Sequence, residues 1–126
     1  MTKKSRRGTL STKGADKKIV SGRPEKEKDV LKRMKGLLGV NKVRFHSHAN
    51  KRMGERNVID YEVRQALSNG KHDPSRDRFS EDHQSWEYSI DGKTIDSRVL
   101  RIGISFETDS RTEEKLLIIT VIEPGK

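Results

Sequence analysis

His48, Arg52 and Arg56 recur every fourth residue in the stretch His48-Ala49-Asn50-Lys51-Arg52-Met53-Gly54-Glu55-Arg56. On a helix each step of four turns the face by only about 40°, so the three side chains form one slowly rotating row. That row borders the apolar line of Ala49 and Met53 and therefore lies at the edge of a core, where charges act more strongly than in open water. An imidazole and two guanidiniums in a row suit a phosphodiester. Arginines hold phosphate oxygens through paired N–H donors, and a histidine moves a proton near neutral pH. The same residues have plainer readings: Arg52 paired with Glu55 or another acid, Arg56 favouring a helix C-terminus, His48 a satisfied edge histidine. Arg101 stands in mid-strand beside Gly103 and Ser105, on a solvated face or in a cleft. Tyr88 shares a face with Trp86 and Ile90 and reads first as a packing residue. His46-Ser47-His48, with His72 and His83, forms no metal site by spacing, because neighbours two apart on a helix diverge and no carboxylate stands at a ligand interval. No metal or cofactor is expected.

Three helices and a run of strands must position these residues. Val30, Leu31, Met34, Leu37 and Leu38 predict a helix over 24–38, entered at Pro24 and stopped by Gly39. Phe45, Ala49 and Met53 mark the buried side of a second helix, from a cap at Ser47 to Arg56, with Asn57 as its left-handed stop. A third starts at Asp60, buries Val63, Ala66 and Leu67, and ends at Asn69-Gly70. After a polar loop over 71–82, Trp86, Tyr88 and Ile90 alternate with polar residues, Asp91-Gly92 predicts a hairpin turn, and Leu100 to Phe106 alternate again. Leu116 to Ile122 is apolar on both faces and belongs inside the sheet. Helices first and strands after give an α+β fold, with the helices packed on a three- to four-stranded antiparallel sheet.

Charge divides the chain in two. Residues 1–35 contain 13 Lys/Arg against 4 Asp/Glu, whereas residues 36–126 contain 15 of each, so the whole net charge of +9 sits in the first part. Residues 1–22 are too poor in apolar groups to offset chain entropy and predict a disordered basic arm, ahead of one α+β domain over 23–126. Lys3, Lys4, Arg6, Arg7, Lys17 and Lys18 are its candidate contacts to a polyanion, a salt-sensitive interaction of low sequence specificity. The absence of cysteine excludes disulfides and thiolate metal sites and fits a cytoplasmic protein. No apolar run approaches the roughly 20 residues that span a membrane.

From Phe45 to Ile122, about 78 of 126 residues, the chain resembles a bacterial family of unknown function with a His-Ala-x-x-Arg-Met-x-x-Arg signature. The match rests on His48-Ala49, Arg52-Met53 and Arg56, then Asn69-Gly70, Trp86-x-Tyr88, Leu100-Arg101-Ile102 and Ile119-Thr120-Val121. The resemblance implies kinship with RelE-like and MqsR-like ribonuclease toxins: a RelE/barnase-like fold, metal-free RNA cleavage by basic and aromatic residues on the sheet, and an antitoxin partner. Arg101 and Tyr88 are the positions that correspond here. The expected function is RNA-directed, a metal-independent endoribonuclease of the toxin type with His48, Arg52, Arg56, Tyr88 and Arg101 in its site. The alternatives are a non-catalytic RNA- or DNA-binding module, or an interaction protein whose arm docks on an acidic partner.

Overall fold

The computed structural model describes residues 19–20, 23–108 and 113–125. The expected arm lies outside these residues, Lys3, Lys4, Arg6, Arg7, Lys17 and Lys18 included, except that Ile19–Val20 (β1) pair antiparallel with Arg23–Pro24 (β2). The first helix, α1, runs over Val30–Gly39 and not from Pro24. Asp29 caps it, its carboxylate accepting from the Lys32 N–H at 3.1 Å. Residues 24–28 are instead held as a strap. The Pro24 carbonyl accepts from Trp86 Nε1 at 2.8 Å and the Glu27 N–H donates to the Tyr88 hydroxyl at 2.7 Å. Those two tertiary bonds hold the segment outside the helix that its Glu and Lys content favours.

Val43–Phe45 forms a strand, β3, that the sequence did not announce. Three residues are too few to display an alternation. Phe45 thus ends a strand rather than opening the buried side of the next helix, α2, which spans Ser47–Arg56 as expected. Its cap is His46, whose Nδ1 accepts from the His48 N–H at 3.0 Å, one residue before the Ser47 anticipated. Ala49 and Met53 are buried, and Asn57 takes the left-handed conformation at φ 55°. Helix α3, Asp60–Ser68, buries Val63, Ala66 and Leu67 completely. The residue before it, Ile59, donates its N–H to the Glu62 carboxylate, while Asp60 pairs with Arg64.

The segment expected as a polar loop holds two short strands, β4 (Lys71–His72) and β5 (Arg78–Ser80), around a 3-10 turn at Pro74–Arg76. Then come β6 (Ser85–Lys93), β7 (Val99–Thr108) and β8 (Glu114–Ile122). The main sheet therefore has six strands, not three or four. Its order is β3-β8-β7-β6-β4, with β5 also on β6, and β3 runs parallel to β8, so the sheet is mixed. The expected α+β class and the antiparallel β6-β7-β8 core hold. Asp91 and Gly92 do not turn the chain. They stay in β6, opposite Arg101 and Leu100, and the turn falls at Thr94–Arg98, closed by Thr94 N–H to Arg98 O at 2.9 Å. Gly92 is required for another reason: a Cβ there would lie 1.8 Å from the Ala66 carbonyl oxygen, because α3 rests directly on the strand.

Ile90, Ile102, Ile104, Leu116, Ile118 and Val121 on the sheet close over Val30 and Met34 of α1 and the apolar row of α3. A bulge pairs Gly103 with Thr120 but Ile104 with Ile118, leaving Ile119 over. The extra residue reverses the alternation of β8, so Leu116, Ile118 and Val121 point into the core while Thr120 joins Gly103 on the other face. Among the described residues no helix is long and apolar enough to cross a membrane.

Candidate functional site

The face of the sheet turned away from α1 and α3 carries Glu87, Ser89, Arg101, Gly103 and Thr120, brought side by side by the pairings of β6, β7 and β8. Helix α2 begins where β3 leaves β8, with the His46 N–H donating to the Ile118 carbonyl at 2.8 Å, and packs against β8. That placement aims its cationic row over the face. His48, Arg52 and Arg56 from α2, Arg101 from β7 and Thr120 from β8 line one cavity of about 450 Å³. Arg76 and Arg78, from the segment between α3 and β6, close its far side.

The cavity is strongly cationic. Five arginines line it against one acid, Glu87, although residues 36–126 as a whole are neutral. Four of the arginines are tethered by single contacts: Arg101 Nε to Asp91 at 3.1 Å, Arg78 Nε to Glu87 at 3.0 Å, Arg52 to Glu55 at 3.0 Å and Arg76 to Asp73 at 3.3 Å. Each contact uses a fraction of the five N–H donors of a guanidinium and fixes its direction. Arg52 therefore makes the Glu55 pair anticipated for a structural role and still borders the cavity. Arg56 differs. Its Nε is buried, and no hydrogen-bond partner meets it among the described residues. A buried donor left unmade is costly, so its position calls for an acceptor. His48 is exposed at the rim, and nothing among the described residues hydrogen-bonds its ring.

Tyr88 borders the same cavity from β6 but is set apart from the cationic row. It pairs with the buried Ile104, which puts its ring on the core face beside Phe106 and His72, and its hydroxyl is engaged by the Glu27 N–H. Burial raises its phenol pKa above the ordinary value. Its hydroxyl anchors the strap.

The Arg76–Arg78 segment is held by Asp77, whose side chain is only 1% exposed. That carboxylate receives Lys26 Nζ at 2.8 Å, His72 Nε2 at 2.9 Å and the Ser89 N–H at 3.1 Å. Alternation then turns the flanking arginines toward the cavity. The arrangement also accounts for His72, a structural partner of a buried acid. At Asp73, the Ser75 hydroxyl bond pulls the carboxyl pKa below the usual range and orders the same turn. The only sequence trace of this wall was the alternation Arg76-x-Arg78, which two residues cannot distinguish from an ordinary polar loop. Among the described residues no cluster of three or more His, Cys, Asp or Glu could hold a metal ion.

The family described as Domain of unknown function (DUF4258) matches residues 45–123, and the chain belongs to it. Every residue that lines the cavity lies inside that span, whereas the strap and α1 lie outside it. No curated protein and no solved structure matches the chain significantly.

Proposed function

We propose that this member of the DUF4258 family is an RNA-directed protein that cleaves a phosphodiester in the sheet-face cavity without a metal ion. The convergence of His48, Arg52, Arg56 and Arg101 on one cavity, with the Arg56 Nε buried and unmatched among the described residues, carries the reading. A phosphate supplies several acceptor oxygens at once, which is what an array of tethered guanidiniums and one unmatched donor can receive. With the phosphate held there, the ribose 2′-hydroxyl attacks the adjacent phosphorus and its proton passes to the His48 imidazole. The bond to the 5′ oxygen breaks, that oxygen takes a proton from water at the open rim, and the hydroxide so formed is neutralised by the proton that His48 gives up. The products are a 2′,3′-cyclic phosphate and a 5′-hydroxyl. Arg56 and Arg101 stabilise the added negative charge of the pentacoordinate transition state. Tyr88 has no part in this step. The toxin type and an antitoxin partner are the finer part of the same proposal and rest on the resemblance of the α2 motif.

The test is incubation of the full chain with single-stranded RNA in excess EDTA. Fragments ending in 2′,3′-cyclic phosphate are expected, and His48→Ala should slow their release by about a hundredfold or more. Intact RNA at high protein concentration refutes cleavage. One observation favours a second reading: no group among the described residues orients the exposed His48 ring, as a binding site without proton transfer would allow. In that case RNA binds, His48→Ala leaves binding unchanged, and neither protein cleaves.

A further inference from the structure

A second cavity of about 480 Å³ lies on the same sheet face, end to end with the cationic one. Along β7 the first is bordered by Arg101 and Gly103 and the second by Ser105 and Glu107. Along β8 the first is bordered by Thr120 and Ile122, the second by Leu117 and Ile119. The step from Gly103 to Ser105 is two strand residues, roughly 7 Å, so one nucleotide reaches from one cavity into the other.

The chemistry of the two differs sharply. Among the described residues that line the second cavity, Arg44 and Glu107 carry the formal charges and meet in a two-point pair, Nε at 3.0 Å and Nη2 at 2.8 Å from the carboxylate oxygens. Leu117 and Ile119 give it apolar walls. The rings of His46 and His83 meet edge to face above it, 6.1 Å between centroids. His46 Nδ1 accepts the His48 N–H, which fixes the direction of the ring. His83 is exposed, on the turn that joins β5 to β6. A cavity with its described charges paired, apolar walls and planar rings fits a nucleobase better than a phosphate.

Resting on the phosphodiester reading above, we infer that this cavity is a nucleobase subsite: it takes the base of the nucleotide whose phosphate sits in the arginine cavity, with His83 stacked on the base. The substrate class is therefore single-stranded RNA, because a paired base is not free to leave its helix and lie against the sheet.

The experiment uses the full chain and two fluorescent oligomers of equal length, both 2′-O-methylated so that no 2′-hydroxyl can attack. One carries bases, and the other is abasic on the same backbone. Anisotropy titrations should show the base-bearing oligomer bound about tenfold more tightly by the parent protein. His83→Ala should abolish that preference while keeping affinity for the abasic oligomer, and His83→Phe should restore it. Arg101→Ala should weaken both oligomers alike. A parent protein without preference, or a His83→Ala variant that keeps it, overturns the base subsite and leaves the phosphate site standing. A parent protein that binds neither oligomer overturns the phosphodiester reading, and the subsite with it.

Discussion

Arg56→Met separates what the cationic cavity costs the free protein from what it contributes to binding. The substitution keeps an unbranched stem of equal helix propensity and removes the guanidinium. The Arg56 Nε is buried without a partner among the described residues, and deleting such a donor recovers about 1–3 kcal/mol. Against this, Arg56 is the basic residue in the last turn of α2, and losing a cation there costs about 0.3–1 kcal/mol. The balance is a stabilisation of about 1 kcal/mol. With a urea dependence of about 1.5 kcal/mol per molar, the unfolding midpoint should rise by about 0.7 M. RNA affinity should move the other way. Charge-assisted hydrogen bonds are worth about 1.5–3 kcal/mol, so binding should fall by roughly 10- to 150-fold. The slope of log affinity against log salt should shrink by about 0.7, one phosphate contact on a single strand. Urea unfolding followed by Trp86 fluorescence reads the first effect, and anisotropy at several salt concentrations reads the second. A variant that unfolds at lower urea and binds RNA like the parent refutes the reasoning on both counts.

Two further outcomes follow from the packing. Gly92→Ala puts a methyl group 1.8 Å from the Ala66 carbonyl and must lift α3 off β6, a loss of about 2–3 kcal/mol. Gly54→Ala meets nothing within 4 Å in the last turn of α2 and should instead gain about 0.5 kcal/mol; calorimetry of the pair reads opposite shifts in Tm. Tyr88→Phe removes the acceptor of the Glu27 N–H and should cost about 1 kcal/mol. Burial raises the Tyr88 phenol pKa, so its contribution is complete below the unfolded value of about 10 and is lost as pH climbs through the folded value. Melts between neutral pH and pH 11 should therefore fall more steeply for the parent than for Tyr88→Phe, and parallel curves would contradict the assignment.

The helices and long strands were legible because each carries its own local signal. Ser47–Arg56 keeps an apolar line at Ala49 and Met53 and a left-handed stop at Asn57, and the structure follows both. The same line placed His48, Arg52 and Arg56 in a row, and all three reach one cavity. Where a single residue satisfied two different demands, local reading failed. Gly92 follows Asp91 as in a hairpin turn, yet it is small because α3 lies on it. Pro24 stands where a helix could begin, but its carbonyl serves Trp86, 62 residues away. Tyr88 matched the resemblance to sheet-based ribonucleases, while strand parity turned it toward the core.

By itself the sequence determined the α+β class, the long elements, the cationic row of α2 and the segregation of net charge into the first 35 residues, all properties that a stretch of chain carries without reference to the rest. Tertiary structure alone decided which cations meet. Arg76 and Arg78 join Arg101 through the buried Asp77 and the pairing of β5, which bind their segment to β6. Thr120 reaches Gly103 only through the bulge that reverses β8. A cavity of five arginines and one acid thus arises within a neutral stretch, because pairing and register set the distances between charges and composition does not.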